Sequence, residues 1–239
     1  MADSNVNSNA TRARAALASY IQYTLVRPDA TRAEMVLHVE QAAQYRFNAA
    51  MIPMCWAPLA RDILRGTGVR VAAPLSFGLG NESLHGKIAL VREALALGLD
   101  EVDYQPNMAF YLSGMFDAFY DEAVQLLKAA EHLVLKPMLE LGYLATEDAQ
   151  RHAARLLDEA GMPWIKNSSG TGPHLAPATP ENIRLLRETV SPRCRVKASG
   201  GIKTYEQVLG LLDAGAELIG TSAGVSIVTG EAASGPNSY

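Results

Sequence analysis

Two lysines stand near the ends of short apolar segments that have the composition of buried β-strands. Lys166 follows Trp164 and Ile165 in PWIKNSSG, and Lys197 lies in RVKASGGI about thirty residues later. Because an ammonium group is costly to bury, a lysine at such a position needs either a partner or a chemical task. Small residues follow each lysine and leave room for a ligand. The two segments therefore mark a candidate reactive site.

A pair of lysines in one pocket predicts an amine nucleophile. Two neighbouring ammonium groups disfavour each other's protonation, and a partly dry pocket adds to the effect. A lysine with an ordinary pKa of ~10.4 is then expected to be partly neutral at pH 7. A neutral amine attacks a carbonyl and forms an iminium, an electron sink for making or breaking a carbon–carbon bond. The alternative is an ion pair between each lysine and a carboxylate, the commoner arrangement for a lone lysine.

Two further charged residues lie in strand-like segments. Asp103, in DEVDY, is a candidate acid–base group across the same pocket, and it is equally suited to pair with the lysines. Lys136, in VLKPMLE, is a third lysine within a strand. We expect Lys136 to pair with Glu140 or Asp103 rather than to react.

The elements that position these residues alternate regularly along the chain. Eight apolar or β-branched runs predict strands over residues 20–26, 49–53, 69–77, 101–106, 132–139, 163–169, 195–200 and 217–222. Segments of helical period separate them and carry start and stop signals: Thr31 with Glu34, Thr146 with Gly161, and Pro180 after a threonine. Strands and helices alternating at roughly 30-residue intervals predict a parallel sheet.

Eight such units predict a single (β/α)8 TIM barrel, an α/β fold. The chemistry of a TIM barrel lies at the C-terminal ends of its strands, where Lys166 and Lys197 would converge from neighbouring strands. An open doubly wound sheet is the alternative, but the glycine fingerprint after its first strand is missing. We expect one domain over residues 1–239, with flexible tails at 1–15 and 230–239.

Small residues also follow the last two predicted strands, in SGGIKT and GTSAG. The loops after strands seven and eight of such barrels commonly hold a phosphate through backbone N–H groups. Glycine pairs alone more often mark a tight turn, so their position in the fold carries the argument. The predicted phosphate and substrate residues are Ser169, Gly170, Thr171, Gly200, Gly201, Lys203, Gly220, Thr221 and Ser222.

Composition and charge are those of a globular enzyme, with 49% hydrophobic and 19% charged residues. The net charge of −4 shows no bias toward nucleic acid or membrane surfaces, and no apolar run reaches the ~20 residues of a membrane span. No secretory signal is recognised, so we expect a cytoplasmic protein. Cys55 and Cys194 are too few for a disulfide framework or a cysteine metal site, and we expect both in the core. We expect no metal and no cofactor.

Six segments, in this order, resemble the deoxyribose-phosphate aldolase family of class I aldolases: YTLVRPDAT, GLDEVDYQPN, LKPMLELGYLATEDAQ, WIKNSSGTG, VKASGGIKT and IGTSAGVSI. The resemblance covers about residues 20 to 228. It implies reversible cleavage of 2-deoxy-D-ribose 5-phosphate to D-glyceraldehyde 3-phosphate and acetaldehyde, without a metal.

The resemblance also assigns roles. It implies that Lys166 forms the Schiff base, that Lys197 favours the neutral form of that amine, and that Asp103 activates the water that shuttles protons. Some family members end in a mobile tyrosine tail that assists proton transfer, which makes Tyr239 a fourth catalytic candidate. A disordered terminus without a role is the alternative for Tyr239.

Several residues depart from the family pattern. Gln22 stands where an aspartate is usual, Asn167 where a threonine follows the Schiff-base lysine, and Ala223 where a serine is usual, while Met51 and Pro53 replace a cysteine and asparagine region. Two alternatives therefore stay open. One is the same iminium chemistry on a different or unphosphorylated aldehyde, and the other is a non-catalytic barrel that binds a sugar phosphate. Exposed helices on the barrel rim are compatible with a homodimer.

Overall fold

The computed structural model describes residues 14–171 and 176–231 of the chain. Tyr239 and most of the two expected tails lie outside the described residues. The strands are β1 (Ile21–Thr24), β2 (Ala49–Met51), β3 (Arg70–Leu75), β4 (Glu101–Tyr104), β5 (Val134–Pro137), β6 (Trp164–Lys166), β7 (Arg195–Ser199) and β8 (Leu218–Thr221). Each falls within a segment that the sequence predicts.

The strands form one parallel sheet in the order β5-β4-β3-β2-β1-β8-β7-β6. The two ends of this order meet at an isolated parallel bridge between Met138 and Lys166. The Leu139 N–H also donates to the Lys166 carbonyl over 2.8 Å. The sheet is therefore a nearly closed eight-stranded barrel, and the predicted TIM-barrel fold is confirmed.

The α-helices between the strands are α1 (Arg32–Gln44), α2 (Ala57–Leu64), α3 (Leu84–Ala96), α4 (Met108–Leu112), α5 (Phe116–Ala130), α6 (Glu147–Glu159), α7 (Pro180–Thr189), α8 (Tyr205–Asp213) and α9 (Gly224–Thr229). Thr31 caps α1 in a capping box with Glu34, and Thr146 caps α6 by accepting from the Ala149 N–H. Pro180 occupies the first turn of α7. These helix starts agree with the sequence signals.

Alternation along the strands separates an outer core from the barrel interior. Val102, Leu135, Ile165 and Val196 belong to the main apolar core between strands and helices. Successive strand residues point to opposite faces, so the charged neighbours of these residues point inward. The charged half of the interior consists of Glu101, Asp103, Lys136, Lys166 and Lys197, from β4 to β7.

The other side of the interior is apolar. Ala49, Met51 and Ala72, from β2 and β3, form a small cluster separate from the main core, and Val26 packs against it. We call these four residues the apolar half. The barrel interior is thus divided between a charged side and an apolar side.

Cys194 is buried, but Cys55 is exposed, so the expectation of two core cysteines is wrong for Cys55. The reason is local, because Cys55 lies in the 3₁₀ turn Met54–Trp56 that follows β2 rather than in a strand. Among residues 14–171 and 176–231, no helix is long and apolar enough to cross a membrane.

Candidate active site

Asp103 lies between the two lysines that the sequence singles out. Lys166 Nζ donates to Asp103 Oδ2 over 2.9 Å, and Lys197 Nζ donates to the same oxygen over 2.6 Å. The two lysines converge because they are direct register partners on β6 and β7. Asp103 is fully buried. The structure therefore brings these three predicted residues into one cluster at the C-terminal side of the strands.

Lys136 and Glu101 extend the cluster toward the floor of the barrel. Lys136 Nζ lies 3.8 Å from Asp103 Oδ1 and donates to Glu101, which Arg70 also contacts. The predicted Lys136–Asp103 pair is present, whereas the alternative pairing of Lys136 with Glu140 is wrong. Glu101 was not singled out from the sequence. Its position two residues before Asp103 on one strand is a signal that both carboxylates share a face.

Gln22 connects the cluster across the barrel. Its Nε2 donates to Glu101 Oε2 over 2.5 Å and to Asn48 Oδ1 over 3.2 Å, while its Oε1 accepts from Lys197. Because a carboxylate only accepts, the contact with Glu101 fixes the orientation of the amide. A neutral side chain thus joins an ionised carboxylate to a lysine.

Burial and the neighbouring charges set the protonation of the cluster. Burial alone would raise the pKa of Asp103, but Lys166, Lys197 and Lys136 hold that pKa well below its usual range. The pKa of Glu101 falls to about 2, because Lys136 and Arg70 outweigh its burial. Both carboxylates are therefore ionised at neutral pH.

For Lys197, burial outweighs the attraction of the neighbouring carboxylate. Burial lowers its pKa to about 7, against the opposing charge of Asp103 and with further lowering by Lys166 and Lys136. The three ammonium groups face only two buried carboxylates, so the cluster readily holds one lysine in its neutral form. The Lys166 side chain is 6% exposed and that of Lys197 is 1% exposed. Lys166 is therefore the lysine that a substrate can reach.

The loop after β6 is held by the carboxylate of Glu140, which the sequence analysis offered only as a partner for Lys136. Glu140 accepts from Ser168 Oγ over 2.5 Å and from the Ser169 N–H over 3.1 Å. Glu140 has a φ of 48°, in the left-handed region, which turns its side chain toward this loop. The Asn167 amide bridges to the Ser199 N–H and carbonyl over 2.8 and 3.0 Å. These contacts fix the backbone that follows Lys166.

Several predicted phosphate residues lie together at the barrel rim. Gly200 and Gly201 have φ values of 101° and 74°, and a Cβ on Gly200 would lie 3.5 Å from the Gly170 Cα. The loops after β6 and β7 are therefore neighbours. Lys203 is exposed just beyond Gly201, and Ser222 is half-buried after β8.

Other predicted phosphate residues make internal contacts. Thr221 Oγ1 donates to the Ile202 carbonyl over 2.6 Å, and Ser169 Oγ donates to the Thr171 carbonyl over 3.3 Å. A Cβ on Gly220 would lie 3.2 Å from Lys197 Cε, so this glycine makes room for the lysine. Their roles as ligands stay predictions. The described residues include no cluster of three or more histidine, cysteine or acidic side chains arranged to hold a metal ion.

Curated relatives share most of this chain. Deoxyribose-phosphate aldolase of Dictyoglomus turgidum is 36% identical over 214 residues, which cover 90% of this chain and 96% of the relative. Deoxyribose-phosphate aldolase of Methanocella arvoryzae is 36% identical over 225 residues, or 93% of this chain and 98% of the relative. No protein-family model matches the chain.

Solved structures show the same similarity. The tetrameric deoxyribose phosphate aldolase of Aeropyrum pernix superposes with a TM-score of 0.81 at 28% identity, covering 90% of each chain. The aldolase QR15 has a TM-score of 0.84 at 29% identity, covering 89% of this chain and 94% of its own.

Proposed function

The chain belongs to the deoxyribose-phosphate aldolase family, and on that premise we propose that it cleaves 2-deoxy-D-ribose 5-phosphate reversibly to D-glyceraldehyde 3-phosphate and acetaldehyde. The proposed enzyme is a carbon–carbon lyase of the class I, Schiff-base type. The observation that carries the proposal is the sharing of Asp103 Oδ2 by the Lys166 and Lys197 amines. A site that only binds a ligand does not need two buried lysines that share one carboxylate.

Lys166 is the proposed nucleophile. Its neutral amine adds to the C1 carbonyl of the open-chain sugar, and loss of water gives the iminium. Removal of the C3 hydroxyl proton then breaks the C2–C3 bond, whose electron pair moves to the iminium and forms an enamine. Glyceraldehyde 3-phosphate leaves at this step. Protonation of the enamine at C2 and hydrolysis release acetaldehyde and return the free lysine.

Asp103 and Lys197 are proposed to serve the proton steps. An Asp103 carboxylate stabilised by three lysines is a weak base, which suits proton transfer through an intervening water more than direct abstraction. Lys197 lies on the same carboxylate oxygen, and the family resemblance gives it the role of favouring the neutral amine of the nucleophile. The family resemblance supports both roles.

The rim residues are proposed to hold the 5-phosphate. Gly200, Gly201, Ser222 and Lys203 offer backbone N–H groups, a hydroxyl and a cation near the mouth, and we keep Ser169, Gly170, Thr171, Gly220 and Thr221 as further members. A side chain at Gly201 should obstruct the approach of the anion. Gly201→Val should raise KM for deoxyribose 5-phosphate by roughly tenfold or more and leave KM for deoxyribose much less changed.

Gly66→Val is the matched control for that experiment. Gly66 also has a positive φ, 78°, and its Cβ position is open, so the variant reproduces the backbone strain far from the rim. A parent enzyme without preference for the phosphorylated sugar would remove the phosphate assignment. The alternative hypothesis, that the substrate is an unphosphorylated or different aldehyde, would then be favoured.

Reductive trapping tests the proposed chemistry directly. Incubation with acetaldehyde and borohydride should add a reduced two-carbon adduct to Lys166, located by peptide mass spectrometry, because a neutral amine forms an imine. A non-catalytic sugar-phosphate-binding barrel would give no adduct. Lys203, an exposed lysine on the same rim, is the internal control for non-specific reaction.

Assembly, location and the termini complete the proposal. We propose a cytoplasmic homodimer, consistent with the exposed Leu112, Met115 and Phe116 at the junction of α4 and α5. Light scattering should give twice the chain mass of 25.7 kDa.

We further propose that residues 1–239 form one domain and that Tyr239 assists proton transfer. Removal of Tyr239 should then slow proton exchange at C2 of the substrate.

A further inference from the structure

The side chain of Asn167 replaces one step of the hydrogen-bonded ladder between β6 and β7. The ladder runs as far as the Asn167 N–H, which donates to the Lys197 carbonyl over 3.4 Å. In a regular parallel pair, the next bond would join the Ser199 N–H to the Asn167 carbonyl. The Asn167 carbonyl instead accepts from the Leu141 N–H over 3.0 Å, on the side of β5. The backbone of β6 therefore turns away from β7 immediately after Lys166.

The Asn167 amide fills the place that the backbone leaves. Its Oδ1 accepts from the Ser199 N–H over 2.8 Å, and its Nδ2 donates to the Ser199 carbonyl over 3.0 Å. The same Nδ2 donates to the Ala176 carbonyl over 3.4 Å, on the segment that leads to α7. Because Oδ1 meets an N–H and Nδ2 meets two carbonyls, the orientation of the amide is set. Asn167 is fully buried, so loss of these bonds would leave backbone groups of β7 unsatisfied.

The turn that follows Ser199 is held from two sides. The Ala178 N–H donates to the Gly200 carbonyl over 3.0 Å, which fixes the outer side of the turn. Ser199, bonded through its backbone to Asn167, fixes the start of the turn. The position of Gly200 and Gly201 relative to β6 therefore depends on the Asn167 side chain.

The Gly200–Gly201 turn offers free backbone donors. Both residues have positive φ values, 101° and 74°, which glycine adopts without strain. Neither N–H group donates to an acceptor among residues 14–171 and 176–231. Gly200 is buried, so its N–H needs a partner from a ligand or from elsewhere in the chain. A bound anion would supply acceptors for both groups.

We propose that Asn167 is a positioning residue that holds the Gly200–Gly201 turn where the 5-phosphate needs it, in a fixed relation to Lys166. The inference rests on the proposed function, which places C1 of the sugar on Lys166 and its phosphate on this turn. Asn167 follows the nucleophile directly, and two hydrogen bonds join its side chain to the residue before the turn. It is thus a short link between the covalent and the ionic attachment points of the substrate. In this role Asn167 acts through Ser199 and touches no substrate atom.

The test measures kcat/KM for cleavage of deoxyribose 5-phosphate and of deoxyribose, and their ratio is the phosphate preference. Asn167→Ala removes both bonds to Ser199, whereas Asn167→Asp keeps the acceptor and removes the donor. Each should lower the phosphate preference by about fivefold to tenfold, mainly through KM for the phosphorylated sugar, because displaced N–H groups bind the anion less well. Cleavage of deoxyribose should change by less than about twofold, since it does not use the turn. A merely structural role would lower both reactions alike and leave the ratio unchanged.

Asn107→Asp is the matched control. Asn107 is buried on the segment after β4, and its Oδ1 caps α4 by accepting from the Phe110 N–H over 3.3 Å. Aspartate caps a helix as well as asparagine does, so the phosphate preference of this variant should equal that of the wild type. The two Asn167 variants are independent, and one that does not fold leaves the other as the test.

Gly201→Val separates this inference from the proposed function. If Gly201→Val lowers the phosphate preference and the Asn167 variants do not, the phosphate lies on the turn without help from Asn167, and this inference is overturned. Loss of acetaldehyde trapping on Lys166 in the Asn167 variants would place their effect at the nucleophile and would overturn it too. If the wild type has no preference for the phosphorylated sugar, the phosphate assignment fails first and this inference with it.

Discussion

The two halves of the barrel interior use the same strand geometry for opposite purposes. In the apolar half, Met51 packs with two alanines and Val26. In the charged half, each lysine depends on a named carboxylate: Lys136 on Glu101, and Lys166 and Lys197 on Asp103. Apolar packing is non-directional, whereas removal of one partner from a buried ion pair leaves the other uncompensated at a cost of about 3–5 kcal/mol.

Burial limits the solvation of the lysine charges and is the first cause of the low pKa of Lys197. The apolar half supplies packing, and the charged half holds the reacting groups. Substitutions should be tolerated on the first side and not on the second.

The largest expected effect is that of Lys166→Arg. A guanidinium keeps the positive charge beside Asp103 but forms no imine, so cleavage of deoxyribose 5-phosphate should fall by about 10⁴-fold or more. A coupled assay for glyceraldehyde 3-phosphate measures it, with circular dichroism to check folding. Substantial remaining cleavage in a folded variant would remove Lys166 from the nucleophile role.

Asp103→Asn should have the second-largest effect, a loss of cleavage activity of roughly 10²–10⁴-fold. The amide keeps the size of the side chain but removes the negative charge on which both lysines depend. Trapping with acetaldehyde should survive in part while cleavage slows, because imine formation and proton transfer are separate steps. Equal losses in trapping and in cleavage would contradict a role for Asp103 specific to proton transfer.

Lys197→Leu should change how both activity and stability depend on pH. Lys197 has a pKa of about 7 and shares its carboxylate oxygen with Lys166, so its removal should move the acid limb of the kcat/KM profile. An acid limb at the same pH as in the wild type would show that the two lysines do not interact.

The stability effect of Lys197 has a definite sign. Its pKa in the folded chain is about 7, below the ordinary 10.5, so the unfolded chain binds more protons between these values. The free energy of unfolding therefore gains a rising contribution from about pH 7 to about pH 10.5, which Lys197→Leu should abolish. Urea unfolding of both proteins at several pH values in that range measures the two slopes. Identical slopes would contradict the low pKa.

The smallest expected effect is that of Met51→Leu in the apolar half. The exchange nearly conserves volume, so the loss of stability should stay below about 1.5 kcal/mol. Activity should change by no more than about threefold, since Met51 makes no polar contact with the lysines. A loss as large as that of Asp103→Asn would break the division of the interior into a packing side and a reacting side.

Local patterns in the sequence predicted the barrel fold and the positions of its lysines. The eight strands followed from the alternation of apolar runs with capped helices, and the meeting of Lys166 with Lys197 followed from their places on neighbouring strands. Glu101 was within reach of the same reasoning, because EVD places two carboxylates on one face. Those features depend on short-range periodicity, which the sequence displays directly.

The features that escaped prediction depend on distant partners or local backbone shape. The Gln22 amide joins Glu101 and Lys197, which lie 79 and 175 positions away along the chain, so the register of three strands had to be known first. Glu140 was offered as a partner for Lys136, but its left-handed backbone directs it to Ser168 and Ser169. Residue type alone reveals neither.

The closure of the barrel has a consequence for hydrogen exchange. Strands β5 and β6 meet at an isolated bridge, between Met138 and Lys166, whereas β3 and β4 are paired over four positions. The Leu139 and Leu141 N–H groups, which donate to the Lys166 and Asn167 carbonyls, can be released by opening few bonds. We expect these two amides to exchange with solvent well before those of β4. Lys166 therefore lies where the barrel opens most easily. Imine formation at Lys166 should change the protection of the Leu139 and Leu141 amides from hydrogen exchange.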